Sequence, residues 1–156
     1  MFRASEIKMD VFRISKTINA PLRYVYDWCT DFRADDPKIT GSKSQRIILQ
    51  KTKKTAIYAQ IYKREDGQQM VAVDIVTLKP FKSWHLDYFG EEDDETGEYN
   101  LFSLGKEKTR LDMIFKERWK TIANPPSKKE QIEGTSEVWD KYVSALERDY
   151  ALSRKK

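Results

Sequence analysis

The stretch from Ser127 to Ser153 constrains the fold most, because its apolar residues recur at the spacing of a long amphipathic helix. The larger apolar side chains follow one another at steps of seven, four, three and four: Ile132, Trp139, Val143, Leu146 and Tyr150. This spacing places them on one stripe of a helix, whereas a strand would alternate. At a rise of about 1.5 Å per residue the helix would be roughly 40 Å long. The rest of the chain must therefore supply a surface that covers its aromatic side.

The start of this helix is well marked. Ser127 is followed three residues later by Glu130, the pattern of a capping box, and two prolines precede it. Gly134 interrupts the run, and an interior glycine costs roughly 1 kcal/mol relative to alanine. We expect either a break near Gly134 or close contact of its backbone with another element, with a tolerated surface glycine as the alternative.

The length of 156 residues predicts a single domain. We expect one domain over 1–156, with its core at about 10–152, a polar leader at 1–9 and a basic tail at 153–156. Charged residues make up 35%, but four Trp, seven Phe and eight Tyr argue against disorder. No apolar signal core opens the chain, and no segment approaches the roughly 18 apolar residues of a membrane span. We therefore expect a cytoplasmic protein.

Residues that bind metals are scarce. Cys29 is the only cysteine and His85 the only histidine, which nearly excludes metal sites built on sulfur or nitrogen. Asp31, Asp35 and Asp36 lack the alternating spacing of a calcium loop, so we assign them to caps and turns. No glycine loop suits a phosphate or a dinucleotide. We predict no metal and no organic cofactor.

The net charge of +4 is a weak hint of an acidic partner, because acids and bases are interleaved along the chain. The basic runs Lys51–Lys54 and Arg154–Lys156 fall in a turn and a tail. Neither is interleaved with exposed aromatic residues, as nucleic-acid binding would need. We do not expect nucleic acid as a partner.

The region before the helix predicts one strand, a short helical insertion and six consecutive strands. Val11–Ile18 alternates as a half-buried strand does, and Pro21 favours a first helix over Pro21–Asp31. An Asp-Gly turn and an acidic turn at 91–97 are among the connections. The six remaining strands are predicted at Gln45–Lys51, Lys54–Arg64, Gln69–Leu78, Trp84–Phe89, Glu98–Leu104 and Arg110–Lys120. This order predicts an α+β protein in which an antiparallel sheet of about seven strands curves around the terminal helix.

Alternation also predicts which side chains face the helix. Nine side chains are expected to point inward: Trp84, Leu86, Tyr88, Tyr99, Leu101, Leu111, Met113, Phe115 and Trp119. His85 and Asp87 have the opposite parity. The strand Gln69–Leu78 is apolar apart from Asp74, so we expect it to be central and either covered on both faces or at a partner interface. Asp74 can face either side, and we favour the outer one.

Several short motifs resemble those of the START, polyketide-cyclase and birch-pollen-allergen superfamily, abbreviated SRPBCC, whose members have the helix-grip fold. Ile18-Asn19-Ala20-Pro21 followed by Val25-Tyr26 and Asp31-Phe32 resembles its opening motif, and Thr109–Met113 resembles its last strand. The resemblance spans about residues 10 to 152. Many members have a Trp after the first helix, where this chain has Asp35–Ile39, so no role of that Trp is carried over.

The resemblance implies a deep cavity between the sheet and the terminal helix, used for lipids, sterols, polyketides, quinones and hormones. Core packing of the same side chains is the alternative. The candidate ligand-binding residues are Trp84, Tyr88, Tyr99, Met113, Phe115, Trp119, Trp139, Tyr142, Val143 and Leu146. They would form an apolar pocket with a few phenol and indole hydrogen-bonding groups.

Catalytic candidates are few. Glu117 shares the inward parity of Phe115, so a carboxylate with a raised pKa could act there as an acid or base, although a salt bridge to a nearby Lys or Arg is the simpler interpretation. Tyr88 is the second candidate. His85 has Asp87 beside it to orient the imidazole, but on the face expected to meet solvent.

Three hypotheses on function follow. The first is the binding or carriage of a hydrophobic small molecule, without catalysis. The second is a cyclase or dehydratase of polyketide-like substrates that uses the cavity tyrosines and Glu117. The third is a protein-interaction module acting through Met70, Ala72, Val76 and the basic tail. Peripheral membrane contact and a homodimer are left open by the sequence.

Overall fold

The computed structural model describes residues 9–156 and contains an antiparallel sheet, a short helix and a long C-terminal helix. The strands are β1 (Met9–Ile18), β2 (Gln45–Lys51), β3 (Thr55–Lys63), β4 (Gln69–Lys79), β5 (Ser83–Phe89), β6 (Asp93–Gly105) and β7 (Lys108–Trp119). The helices are α1 (Leu22–Cys29) and α2 (Lys128–Ser153), with a 3₁₀ helix at Asp36–Thr40. The strand order is β1-β7-β6-β5-β4-β3-β2. The predicted α+β fold class is confirmed, while the polar leader lies outside the described residues except for Met9.

Helix α2 begins as the capping box predicts. The Glu130 amide donates to Ser127 Oγ at 3.1 Å, and the Ser127 amide donates to Glu130 Oε2 at 3.2 Å. The helix runs without interruption through Gly134, where an added Cβ would meet no atom within 4 Å. The expected break or close contact at Gly134 is therefore wrong, because this glycine lies over open space.

Replacing Ser127 with alanine is expected to lower the free energy of unfolding by about 1 kcal/mol, because the Glu130 amide loses its acceptor. Urea unfolding followed by circular dichroism measures this change. Ser144→Ala, an exposed position within α2, is the matched control and should change stability by less than about 0.5 kcal/mol. Equal effects of the two substitutions would contradict a capping role for Ser127.

Helix α2 is attached to the sheet by both apolar and polar contacts. Leu146 is 1% exposed within the main hydrophobic cluster. Lys16 Nζ on β1 donates to Ser136 Oγ at 2.7 Å and to Asp140 at 2.5 Å. Near the end of α2, Trp28 Nε1 on α1 donates to Asp149 at 2.9 Å. These contacts hold α2 against the inner face of the sheet.

Strand β4 differs from its predicted environment. It is interior, but β5 holds the central position in the strand order. Its outer face is not covered, since Val71 is 44% exposed. Met70, Ala72 and Val76, which the interaction hypothesis placed on the outer face, are buried on the inner one. That hypothesis therefore loses its apolar surface, because these three side chains share the parity that faces α2.

Strand β6 begins at Asp93, five residues before the predicted start at Glu98. Residues 93–97 were expected to form part of a turn, but Glu95 pairs across the sheet with both Tyr88 and Glu117. Acidic residues are tolerated here because alternate side chains face opposite sides of the sheet.

In residues 9–156 no helix combines the length and apolar character needed to cross a membrane.

Candidate functional site

A cavity of about 320 Å³ lies between the inner face of the sheet and α2. Its helical wall is formed by Thr135, Val138, Trp139 and Tyr142, which stand at positions i, i+3, i+4 and i+7 and so share one helix face. The opposite wall comes from the inner faces of β3 to β7, and α1 adds Trp28. The same amphipathic pattern that docks α2 therefore also supplies one side of this space.

Aromatic rings in contact with one another form much of the wall. Trp84 and Tyr99 stack with their ring centroids 4.9 Å apart and an interplanar angle of 9°. The Tyr99 ring also contacts Trp139 across the gap at 5.7 Å, and Trp139 contacts Tyr142 at 5.3 Å. Phe115 meets the Tyr99 ring edge-on at 5.7 Å. Aromatic rings from both the sheet and α2 therefore border the cavity.

Gly97 gives the Tyr99 ring its position on the strand. A Cβ built at Gly97 would lie 2.7 Å from Tyr99 Cε2 and 3.0 Å from its hydroxyl. Both distances are below ordinary van der Waals contact, so the ring lies where a side chain at position 97 would be. The lack of a side chain at position 97 therefore lets the Tyr99 ring lie close to β6, and this sets how deep the cavity is on this side.

Asp74 is the most buried charged residue of the cavity wall, at 2% exposure. The Gln60 amide donates to its carboxylate at 2.7 Å. Burial raises the pKa of Asp74 to about 6, against the opposing effects of the Gln60 hydrogen bond and the Arg46 charge. The expected outward orientation of Asp74 is wrong, because Asp74 shares the buried parity of β4 and finds Gln60 on the neighbouring strand.

The single arginine of the cavity wall is already paired. Arg46 Nη1 donates to Asp36 at 2.6 Å. Its guanidinium also lies over the Tyr58 ring, 4.3 Å from the centroid. Arg46 therefore pairs with Asp36 through Nη1, while its charge also lowers the pKa of Asp74 and its Nε has no hydrogen-bond partner within residues 9–156.

A second carboxylate, Glu95, lines the cavity, and Glu117 lies beside it on β7, outside the cavity wall. Glu117 is 3% exposed. Burial, hydrogen bonds to Glu95 and Asp93, and the charges of both raise the pKa of Glu117 to about 12. Burial also raises the pKa of Glu95, although its hydrogen bond with Glu117 opposes this. At neutral pH Glu117 therefore carries a proton, which it shares with Glu95.

The salt bridge expected for Glu117 is wrong. Within residues 9–156 its carboxyl pairs with acidic neighbours, and Oε1 has no hydrogen-bond partner. The reason is register, because β7 places Glu117 directly opposite Glu95. Glu117, the first of the two catalytic candidates, is thus separated from the cavity by Glu95.

The ten predicted ligand-binding residues divide between the cavity wall and other places. Six line the cavity: Trp84, Tyr88, Tyr99, Phe115, Trp139 and Tyr142. Met113 and Leu146 are buried in the hydrophobic cluster, and Val143 packs against that cluster. Trp119 lines an adjoining groove that shares Gln60 and Tyr88 with the cavity.

The other candidates have definite places. Tyr88 lines the cavity, and burial raises the pKa of its hydroxyl. His85 lies on the outer face, where Nε2 contacts Asp87 at 2.9 Å and Nδ1 contacts Glu98. Burial lowers the pKa of His85, but these two carboxylates outweigh it and raise the pKa overall. Its imidazole is therefore oriented as expected, away from the cavity.

Sequence reasoning missed several cavity residues. Tyr58 and Gln60 alternate on β3 with outward-facing neighbours, a signal that could have found them. Glu95 was assigned to a turn. Cys29 also lines the cavity, and burial raises the pKa of its thiol.

In the part of the chain that the structure describes, no group of three or more His, Cys, Asp or Glu is arranged to hold a metal ion.

Comparison with solved structures places this architecture among known folds. The Zhui aromatase/cyclase from Streptomyces sp. R1128 is 15% identical at a TM-score of 0.63, covering 94% of this chain and 93% of its own. A START superfamily protein from Mycobacterium smegmatis is 15% identical at a TM-score of 0.67, covering 91% and 97%. Ara h 8.0201 is 11% identical at a TM-score of 0.61, covering 94% and 99%.

The likeness to these proteins is one of fold. No family model matches the sequence, and no curated protein matches it either. The expected resemblance is nevertheless confirmed in the strand order, the helix after β1 and the long C-terminal helix. The chain therefore has the helix-grip fold that these three proteins share.

Proposed function

We propose that this protein binds an aromatic, mainly apolar small molecule in the cavity between the sheet and α2. The observation that carries the proposal is that Trp84, Tyr99, Trp139 and Tyr142 present rings to an open space of about 320 Å³. Small-molecule sites are typically concave, rich in aromatic residues and roughly 300–1,000 Å³ in volume. The space is therefore large enough for a compact ring system.

Two further observations support binding. Met113 and Leu146 are fully packed in the hydrophobic cluster and neither borders the open space, so the cavity is separate from that part of the core. Two proteins with the same fold are named an aromatase/cyclase and a START superfamily protein.

Blocking the cavity from the helix side tests this proposal. Thr135→Trp places a large ring into the space, and it is expected to weaken binding of the neutral fluorophore N-phenyl-1-naphthylamine about tenfold or more. Fluorescence titration of the purified protein measures the affinity. Glu133→Trp adds the same ring at an exposed position of α2 outside the cavity wall and should leave affinity within about twofold. Equal affinities for wild type and Thr135→Trp would contradict binding in the cavity.

Native mass spectrometry of freshly purified protein, followed by extraction, gives the natural ligand directly. A small molecule that accompanies the wild type and the Glu133→Trp protein, but not the Thr135→Trp protein, would support the proposal. Retention of the same molecule by the Thr135→Trp protein would place it elsewhere.

A second candidate function is a cyclase or dehydratase of polyketide-like substrates. Asp74 favours it, because its raised pKa of about 6 is closer to neutral than that of an ordinary carboxyl. Glu117 contributes less than the sequence suggested, because Glu95 separates it from the cavity. Asp74→Asn should abolish turnover of such a substrate but retain its binding. A protein that shows no turnover, and whose Asp74→Asn variant loses only binding, would instead support a carrier.

A further inference from the structure

We propose that the ligand is an aromatic amine, whose ring lies between the aromatic walls and whose protonated amino group pairs with Asp74 and Glu95. This inference rests on the proposed function, since it specifies the chemistry of the molecule in the same cavity.

The first argument is the charge of the wall. Four charged side chains line the cavity: Asp36, Arg46, Asp74 and Glu95. Arg46 is paired with Asp36 at 2.6 Å. Within residues 9–156, no Lys or Arg forms an ion pair with Asp74 or Glu95. The wall therefore has an excess of carboxylate.

An unpaired carboxylate away from water is costly, and a cation held beside it offsets that cost. An ionised carboxylate has about four acceptor positions. The hydrogen bonds from Gln60 and Tyr58 occupy two positions on Asp74. The remaining capacity suits the several N–H donors of an ammonium group.

The second argument is independent of the carboxylates. Tyr99 is 6% exposed and lines the cavity, yet its hydroxyl forms no hydrogen bond with another residue in the described part of the chain. This hydroxyl is not among the fully buried polar atoms without a partner in residues 9–156, so it is accessible, and its oxygen can accept a hydrogen bond from an amino group of the ligand. The ring faces of Trp84 and Trp139 also attract cations through their quadrupoles.

The same charges select against acidic ligands. A fatty acid or aromatic acid would bring a third carboxylate toward Asp74 and Glu95, and like charges in a site with little water repel strongly. The cavity therefore distinguishes ligands by charge as well as by shape.

Three indole derivatives with the same ring and two-carbon chain test the inference. Tryptamine ends in an ammonium group, tryptophol in a hydroxyl and indole-3-propionate in a carboxylate. Isothermal titration of the wild-type protein at about pH 7.5 should give tryptamine an affinity about tenfold or more above tryptophol, with indole-3-propionate the weakest.

Removing the charge of Asp74 gives a second test of the inference. Asp74→Asn keeps the shape and is expected to abolish the preference for tryptamine over tryptophol. Asp112→Asn makes the same change on the outer face, where Asp112 accepts from Ser15, and should keep the preference. The wild-type comparison stands even where Asp74→Asn does not fold.

Lowering the pH gives a third test of the inference. Asp74 is faced by Arg46 from β2, Tyr58 from β3, Tyr88 from β5, Glu95 and Tyr99 from β6, and Tyr142 from α2. Because its carboxylate gains a proton as pH falls through about 6, tryptamine affinity should fall between about pH 7.5 and pH 5.5, while tryptophol affinity should stay level.

The outcomes separate the two proposals. Equal affinity for all three indoles, or preference for indole-3-propionate, overturns the amine inference and leaves small-molecule binding standing. Binding of the neutral fluorophore without binding of any indole also overturns the amine inference alone. Failure of the fluorophore and all three indoles overturns both.

Discussion

Replacing Leu146 with alanine is expected to lower the free energy of unfolding by about 3 kcal/mol. Leu146 is 1% exposed, and it is the large apolar member of the three residues that α2 buries fully. Its removal leaves a void that the sheet on one side and the helix backbone on the other cannot collapse to fill. Much of the apolar attachment of α2 to the sheet depends on this side chain.

Urea unfolding followed by both circular dichroism and tryptophan fluorescence measures this loss. Leu152→Ala is the matched control on the same helix, because Leu152 is 55% exposed, and it should change stability by less than about 0.5 kcal/mol. A loss below about 1 kcal/mol at Leu146 would show that α2 is not docked on the sheet by this residue.

Glu117→Gln is expected to raise the free energy of unfolding by about 2 kcal/mol at neutral pH. The pKa of Glu117 is about 12 in the folded protein, against 4.5 for an ordinary glutamic acid. Folding therefore takes up a proton, and its stabilising contribution is complete below about pH 4.5 and is lost as pH rises toward about 12. Glutamine needs no proton to donate to Glu95, so the variant avoids this loss.

The sign of the pH dependence makes the test specific. Relative to wild type, the gain in Glu117→Gln should be small at about pH 4.5 and grow as pH rises toward 8. Chemical unfolding at several pH values gives the difference. Glu137→Gln, an exposed change on α2, should give a difference that does not vary with pH. A glutamine variant less stable than wild type at pH 8 would contradict a protonated Glu117.

The fold was predictable because its main elements have strong local signals. The capping box at Ser127, the apolar stripe from Ile132 to Tyr150 and the alternation in β5 and β7 each identify an element without reference to the others. One helix and seven alternating strands leave few ways to bury one apolar face of each.

The polar part of the cavity was harder to predict. Around Asp74 every neighbour on β4 from Met70 to Val76 is apolar, so alternation gives no contrast between the two faces. Glu95 follows a run of acidic residues that is typical of a turn, and only pairing with β5 and β7 shows it to be in a strand. Both misassignments concern residues whose position depends on a neighbouring strand.

Parity also does not give position along a strand. Met113 and Phe115 share the inward face of β7, yet Met113 is packed in the hydrophobic cluster while Phe115 also borders the cavity. On α2, Leu146 lies in the core and Tyr142 at the open space, one turn apart. Where packing ends and the cavity begins depends on how α2 crosses the sheet, which the sequence pattern does not specify.

The glycine beneath Tyr99 has a consequence for how this kind of pocket could diversify. A methyl group at position 97 would meet the ring at 2.7 Å, and movement of the ring toward α2 would relieve that clash. The cavity would become shallower although every residue that contacts the ligand stayed the same. Substitution of this one glycine would thus change the thickness of the ligand that fits the cavity, before any side chain in contact with the ligand is replaced.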